Sequence, residues 1–113
     1  MKNSNYKNTQ KYKRYKFQCE GCVIVSHSKV AFSVEDVSER GLKVVLQDLI
    51  DMQQNYAIRI CINSSKNIEI IARPVWDNEK NHLGFEVLNN DPQWEKFIQQ
   101  VESGYFKMAD CAA

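Results

Sequence analysis

Val30-Ala31-Phe32-Ser33-Val34-Glu35-Asp36-Val37-Ser38-Glu39-Arg40-Gly41-Leu42-Lys43-Val44-Val45-Leu46 is the stretch from which the rest of the chain can be read. Val30, Phe32 and Val34 sit at every second position, the period of a strand with one buried face. Leu42, Val44 and Leu46 restart the same alternation. Asp36 to Gly41 between them is a compact polar connection of turn-forming residue types.

Upstream, Tyr15, Phe17 and Cys19 share one face of an earlier strand. Glu20-Gly21 interrupts the pattern and reads as a bulge. Val23-Ile24-Val25 continues the strand, and Ser26-His27-Ser28 reads as a turn. Downstream, Gln47 to Asn55 is a loop expected to hold a short helical turn over Asp48–Met52. Tyr56, Ile58, Ile60 and Ile62 alternate strictly, and Asn63 to Asn67 has the composition of a hairpin loop. Ile68, Ile70, Ala72, Pro74 and Trp76 fall on one face of the next strand. Asp77 to Asn81 is a further turn, and Leu83, Phe85 and Val87 form the last strand.

The period then changes. Asp91 is a good N-cap and Pro92 a good first helical residue. Trp94, Phe97, Ile98 and Val101 follow at the spacing of one apolar helix face, and Gly104 is placed to end the helix. The expected class is mostly β: about six short antiparallel strands in a small closed or split barrel, capped by a C-terminal helix.

At 113 residues the chain is one domain by length and long enough to bury a core without metal or disulfide staples. A hydrophobic content of 43% with 26% charged residues is that of a soluble globular protein. Residues 1–10 are polar and aperiodic, and are expected to form a disordered basic arm. The barrel with its helix is assigned to residues 11–104 and a tail to 105–113.

Charge is unevenly spread. Lys2, Lys7, Lys11, Lys13, Arg14 and Lys16 lie in the first sixteen residues with no acid among them, and all 14 acids follow. A basic arm on an acidic body suggests an anionic partner for the arm, against the alternative of a solvated tail that aids solubility. No apolar run approaches the ~20 residues of a membrane span. With neither a secretory signal nor a lipidation motif, a cytoplasmic location is expected.

Cys19 and Cys22 form a CxxC, but no second close pair completes a zinc site, and Cys61 and Cys111 stand alone. Reduced structural thiols are expected, with metal or redox chemistry as the alternative. His27 and His82 are isolated in predicted turns, where exposure is expected. No catalytic constellation is present: no glycine-rich phosphate loop, no nucleophile with supporting base, no carboxylate pair in a nucleophile motif. A binding protein is expected rather than an enzyme.

Asp36-Val37-Ser38-Glu39-Arg40-Gly41, between two alternating strands, resembles the [D/N]-x-S-x-x-G motif of the PilZ domain family. Val75-Trp76, a polar turn and Gly84-Phe85-Glu86-Val87 resemble that family's late hairpin, and a C-terminal helix follows it there too. The resemblance covers roughly residues 10–103. It implies the barrel, and it implies cyclic di-GMP as ligand. Candidate binding residues carried over are Lys11, Lys13 and Arg14 in the arm and Asp36, Ser38 and Gly41 in the motif. The family's arm motif, R-x-x-x-R, is degraded: with Arg14 at the second arginine, Gln10 stands at the first. Arg14 is the only arginine in the arm.

The chemistry suits these residue types. A guanidinium fork engages phosphate oxygens or guanine O6 and N7 with two parallel hydrogen bonds, whereas an ammonium is a point charge. Asp36 can accept from a guanine N–H edge, Ser38 can donate or accept, and Gly41 permits a backbone conformation closed to other residues. The competing reading has Asp36 and Ser38 merely capping a tight turn by Asx-type bonds. Arg40 and Arg73 are weighed as extra phosphate contacts against solvated strand-edge charges, and Trp94 is expected to anchor the helix to the barrel. Three functions follow from this reading. One is a cyclic di-GMP sensor that presents a changed surface to an effector protein, with motility, pilus or biofilm control implied by the resemblance. The second is a protein–protein adaptor that has lost the ligand. The third, a nucleic-acid-binding barrel suggested by Tyr6, Tyr12 and Tyr15 in the arm, is disfavoured by the acidic body.

Overall fold

The computed structural model describes residues 12–78 and 80–106. Lys11, Gln10 and the rest of the first ten residues, and Cys111, lie outside the described residues. Six strands form: β1 (Arg14–Val25), β2 (Ser28–Ser38), β3 (Gly41–Leu46), β4 (Tyr56–Asn63), β5 (Lys66–Asp77) and β6 (His82–Val87). One helix, α1 (Pro92–Glu102), follows. The strands close a barrel in the order β1-β2-β3-β6-β5-β4, every neighbour antiparallel, with β4 returning to β1. Closure removes the exposed edges that a six-stranded open sheet would present.

The alternating residues line the interior as their period demands. Val23, Phe32, Val44, Ile58 and Ala72 are fully buried, and Phe17, Val34, Val37, Leu42, Ile60, Ile70, Leu83 and Phe85 lie within a few per cent of it. Each large apolar side chain buried this way contributes about 1.5–3 kcal/mol. Helix α1 brings Trp94, Phe97 and Ile98 onto the barrel, where Phe97 meets Phe17 edge-to-face at a centroid distance of 5.2 Å. Phe106, past the helix, packs on Phe17 and Phe97 at 5.5 and 5.8 Å.

Both helix ends are closed as read. The Asp91 side chain accepts from the Gln93 amide at 2.8 Å, and Pro92 occupies the first turn. At the other end Gly104 adopts φ +79°, and the amides of Gly104 and Tyr105 return to the carbonyls of Val101 and Gln100. That paired return is the Schellman closure, and it needs the left-handed residue that glycine provides cheaply.

Several expectations are corrected. The irregularity of β1 lies between Lys16 and Cys19, not at Glu20-Gly21. Gly21 is regular strand. A side chain there would fall 2.5 Å from both the Phe32 ring and the Arg59 carbonyl, so the interruption is a matter of packing. No helical turn forms over 48–52. Asp51 instead organises the loop, accepting from the Gln53 amide at 2.8 Å while its carbonyl accepts from the Tyr56 hydroxyl at 2.8 Å. The Asp36–Gly41 connection shrinks to Glu39-Arg40, because β2 runs through Ser38 and β3 begins at Gly41. Trp76 leaves the inward face of β5: a register shift after Pro74 turns it outward, 39% exposed, against Gly84. His82 is partly buried at the start of β6, whereas His27 is exposed in its turn.

Candidate ligand-binding face

Val37 and Leu42 point into the core, so their strand neighbours Asp36, Ser38, Gly41 and Lys43 point out of the barrel. Register then extends two rows across the outer face. Arg14, Ser38, Gly41, Glu86 and Arg73 make one row, and Lys16, Asp36, Lys43, Gly84 and Trp76 make the next.

In the second row, Asp36 carries the feature most suggestive of a ligand. Its side chain is only 13% exposed, and its Oδ1 is buried without a hydrogen bond among the described residues. Arg14 Nη1 lies 3.5 Å from that same oxygen. This is a charge contact whose geometry falls short of a hydrogen bond. A buried carboxylate oxygen without a donor is costly, and a donor supplied from outside would relieve it.

Ser38 is 4% exposed, and its Oγ donates a long bond, 3.5 Å, to the Gly41 carbonyl across the turn. The turn-capping alternative therefore holds for Ser38 and fails for Asp36, which lies inside the strand. Gly41 is not required for its backbone angles, since its φ is not positive. It is required for closeness: a Cβ would sit 2.1 Å from the Phe85 carbonyl oxygen of β6.

The arm reaches this face at Arg14. Lys13 alternates to the other side. Its Nζ lies 5.7 Å from the Tyr15 ring centroid, beside a groove of about 450 Å³. Tyr12, Lys13 and Tyr15 line that groove together with Glu39, Glu95 and Glu102. The Tyr15 hydroxyl donates to Glu102 at 3.0 Å. Desolvation and that carboxylate hold the Tyr15 hydroxyl above its usual pKa. The structure thus brings Arg14, Asp36, Ser38 and Gly41 together and leaves Lys13 facing α1.

Charged residues around the rows were only partly legible in sequence. Arg40, in the turn, donates to Glu86 Oε2 at 3.2 Å, and Arg73 donates to Glu86 Oε1. Arg73 first, and Arg40 with it, hold the Glu86 carboxyl below its usual pKa against an opposing desolvation. Arg40 Nη1 also meets the Tyr12 hydroxyl at 3.4 Å, with the guanidinium 5.6 Å from the ring centroid. Glu35 holds Lys43 at 3.5 Å and His82 Nε2 at 3.4 Å on the flank. Trp76 lies on Gly84, where a Cβ would clash with the indole at 2.2 Å. The sequence gives alternation but not the register shift that exposes this ring.

The rim is tied to the helix as expected. Trp94 Nε1 donates to the carbonyls of Ser38 and Glu39, both at 3.1 Å. No group of three His, Cys, Asp or Glu among the described residues is arranged to hold a metal. No helix among them is long and apolar enough to cross a membrane.

The PilZ domain family matches residues 8–103. The chain belongs to the PilZ family. Solved PilZ structures share its fold. The PilZ domain of YcgR from Escherichia coli, solved with c-di-GMP, superposes with a TM-score of 0.62 at 18% identity, covering 88% of this chain and 95% of that one. The PilZ domain of CeSA from a cellulose-synthesizing bacterium gives 0.63 at 15%, covering 83% and 99%. YcgR from Escherichia coli in complex with c-di-GMP gives 0.66 at 19%, covering 87% of this chain and 46% of that one. No curated protein matches at a significant level. Against the PilZ pattern, this chain has the [D/N]-x-S-x-x-G residues on its outer face and one arginine, Arg14, in the arm.

Proposed function

We propose that this PilZ domain is a non-enzymatic cytoplasmic receptor for cyclic di-GMP, bound on the outer face by Arg14, Asp36, Ser38 and Gly41. Lys11 and Lys13 add positive charge from the arm. The observation that carries the reading is Asp36: a buried carboxylate oxygen without a hydrogen bond, inside the intact motif, with a half-exposed guanidinium beside it. A guanine N–H edge supplies the missing donor, and the Arg14 fork turns from Asp36 to a phosphate or guanine oxygen. The PilZ domain of YcgR, solved with c-di-GMP, supports the same ligand class. Docking the arm over the ligand changes the surface around the β2–β3 turn and α1, and an effector protein reads that change. The outputs that fit are control of motility, pilus function or biofilm formation.

Calorimetric titration of cyclic di-GMP at two salt concentrations, with Arg14→Ala alongside, tests this. Micromolar or tighter binding is expected, weaker in high salt and about ten- to a hundredfold weaker in the variant. Heat no greater than dilution would refute it.

One observation favours a second reading, an adaptor that does not bind the nucleotide. Arg14 is already paired with Asp36, so the face is closed on itself. A protein partner whose binding ignores cyclic di-GMP would establish that reading.

A further inference from the structure

A ligand with two phosphates and two guanine edges is best gripped by two guanidinium forks, and the arm of this chain contains one arginine. The body holds three more: Arg40, Arg59 and Arg73. Arg59 is committed to Glu69 by two hydrogen bonds of 2.9 and 2.6 Å on β4, a strand that borders neither β2 nor β3. Arg73 stands on β5, three strand spacings from β2, or about 14 Å. Arg40 sits in the turn that joins Ser38 to Gly41, half-exposed, and already touches the arm at Tyr12.

Resting on the receptor reading above, we propose that Arg40 supplies the second guanidinium fork of this site, standing in for the arginine that position 10 lacks. Tyr12 lies two residues before Arg14, so its contact with Arg40 brings a second guanidinium to the arm. Arg40 is free to turn. Its bonds are to a partly exposed tyrosine and a partly exposed carboxylate, and such pairs hold weakly. If Arg40 swings onto the ligand, Glu86 is not left unpaired, because Arg73 still donates to it. The shared carboxylate thus serves as a resting place for Arg40 rather than a permanent partner.

The test is a cycle of variants titrated with cyclic di-GMP: wild type, Arg40→Lys, Arg40→Ala, Gln10→Arg, and Gln10→Arg with Arg40→Ala. Arg40→Lys keeps the charge and removes the fork, so about tenfold weaker binding is expected, with Arg40→Ala weaker still. Gln10→Arg rebuilds the arm motif and is expected to restore Arg40→Ala to within a few-fold of wild type. A merely structural Arg40 would not be rescued by a residue in the arm. Thermal unfolding without ligand separates lost folding from lost contact. Wild-type binding with Arg40→Lys unchanged would overturn this proposal and leave the receptor reading standing. Absence of wild-type binding would overturn both.

Discussion

Gly41 shows how one residue serves the face by what it lacks. The β3 backbone passes so near β6 that a methyl group would lie 2.1 Å from the Phe85 carbonyl oxygen. That oxygen belongs to a paired strand and cannot swing aside as a flexible side chain would. Gly41→Ala must push β3 from β6 at the point where the Ser38–Gly41–Glu86 row crosses. A loss of about 1–3 kcal/mol is expected, the usual cost of overpacking, read as a lower urea midpoint with an unchanged slope. An alanine variant as stable as wild type would mean that the two strands do not approach this closely. Gly84 has a different reason for the same residue. There the obstacle is the Trp76 indole, and a larger residue would lift the ring from the face while leaving the strands together.

Helix α1 is the element that fixes the motif-bearing turn. The Trp94 indole N–H, buried with its ring, donates to two consecutive carbonyls, Ser38 and Glu39, at the β2–β3 corner. Trp94→Phe keeps an aromatic ring on the barrel and strands those carbonyls. A cost of about 1–3 kcal/mol in denaturant is expected, with weaker cyclic di-GMP binding because the turn loses its anchor at Ser38 and Glu39. An unchanged midpoint would show that the carbonyls find other donors. This helix was legible in sequence because its signals are local: Asp91 and Pro92 at the start, Gly104 at the end, and a 3.6-residue period between. The strands were legible by alternation, as Tyr56 to Ile62 shows. Alternation failed where the ladder slips, since a slip depends on the partner strand. Trp76 continues the inward series of β5 in sequence, yet the shift after Pro74 faces it outward. Asp36 is the same case on β2: a polar residue in a polar run that ends in glycine reads as turn, and only the pairing with Lys16 and Lys43 makes it strand. The site was therefore readable as a set of residues but not as a surface. The cluster of Arg40 and Arg73 on Glu86, assembled from three separate segments, left no local trace in the sequence.

Across the whole molecule, charge and core are separable. The first sixteen residues carry six basic side chains and no acid, while among the described residues the buried core begins at Phe17. Strand β1, which follows the arm, is held on both sides, by β2 and by β4. Removing residues 1–11 is therefore expected to leave the unfolding temperature of the free domain nearly unchanged from that of the full chain. Ligand-bound stability should respond differently. At a ligand concentration of about a hundred times Kd, binding stabilises the folded state by about 2.7 kcal/mol, a shift of roughly 10 °C or more for a domain of this size. The shortened chain lacks Lys11 and the charge that precedes it, so its shift at the same concentration should shrink, and the remaining shift should depend less steeply on salt. Thermal unfolding of both chains, with and without cyclic di-GMP at two salt concentrations, gives all of these readings together. Equal shifts in the two chains would assign binding to Arg14 and the outer face alone. A shortened chain that unfolds early without ligand would show that the arm belongs to the fold rather than being attached to it.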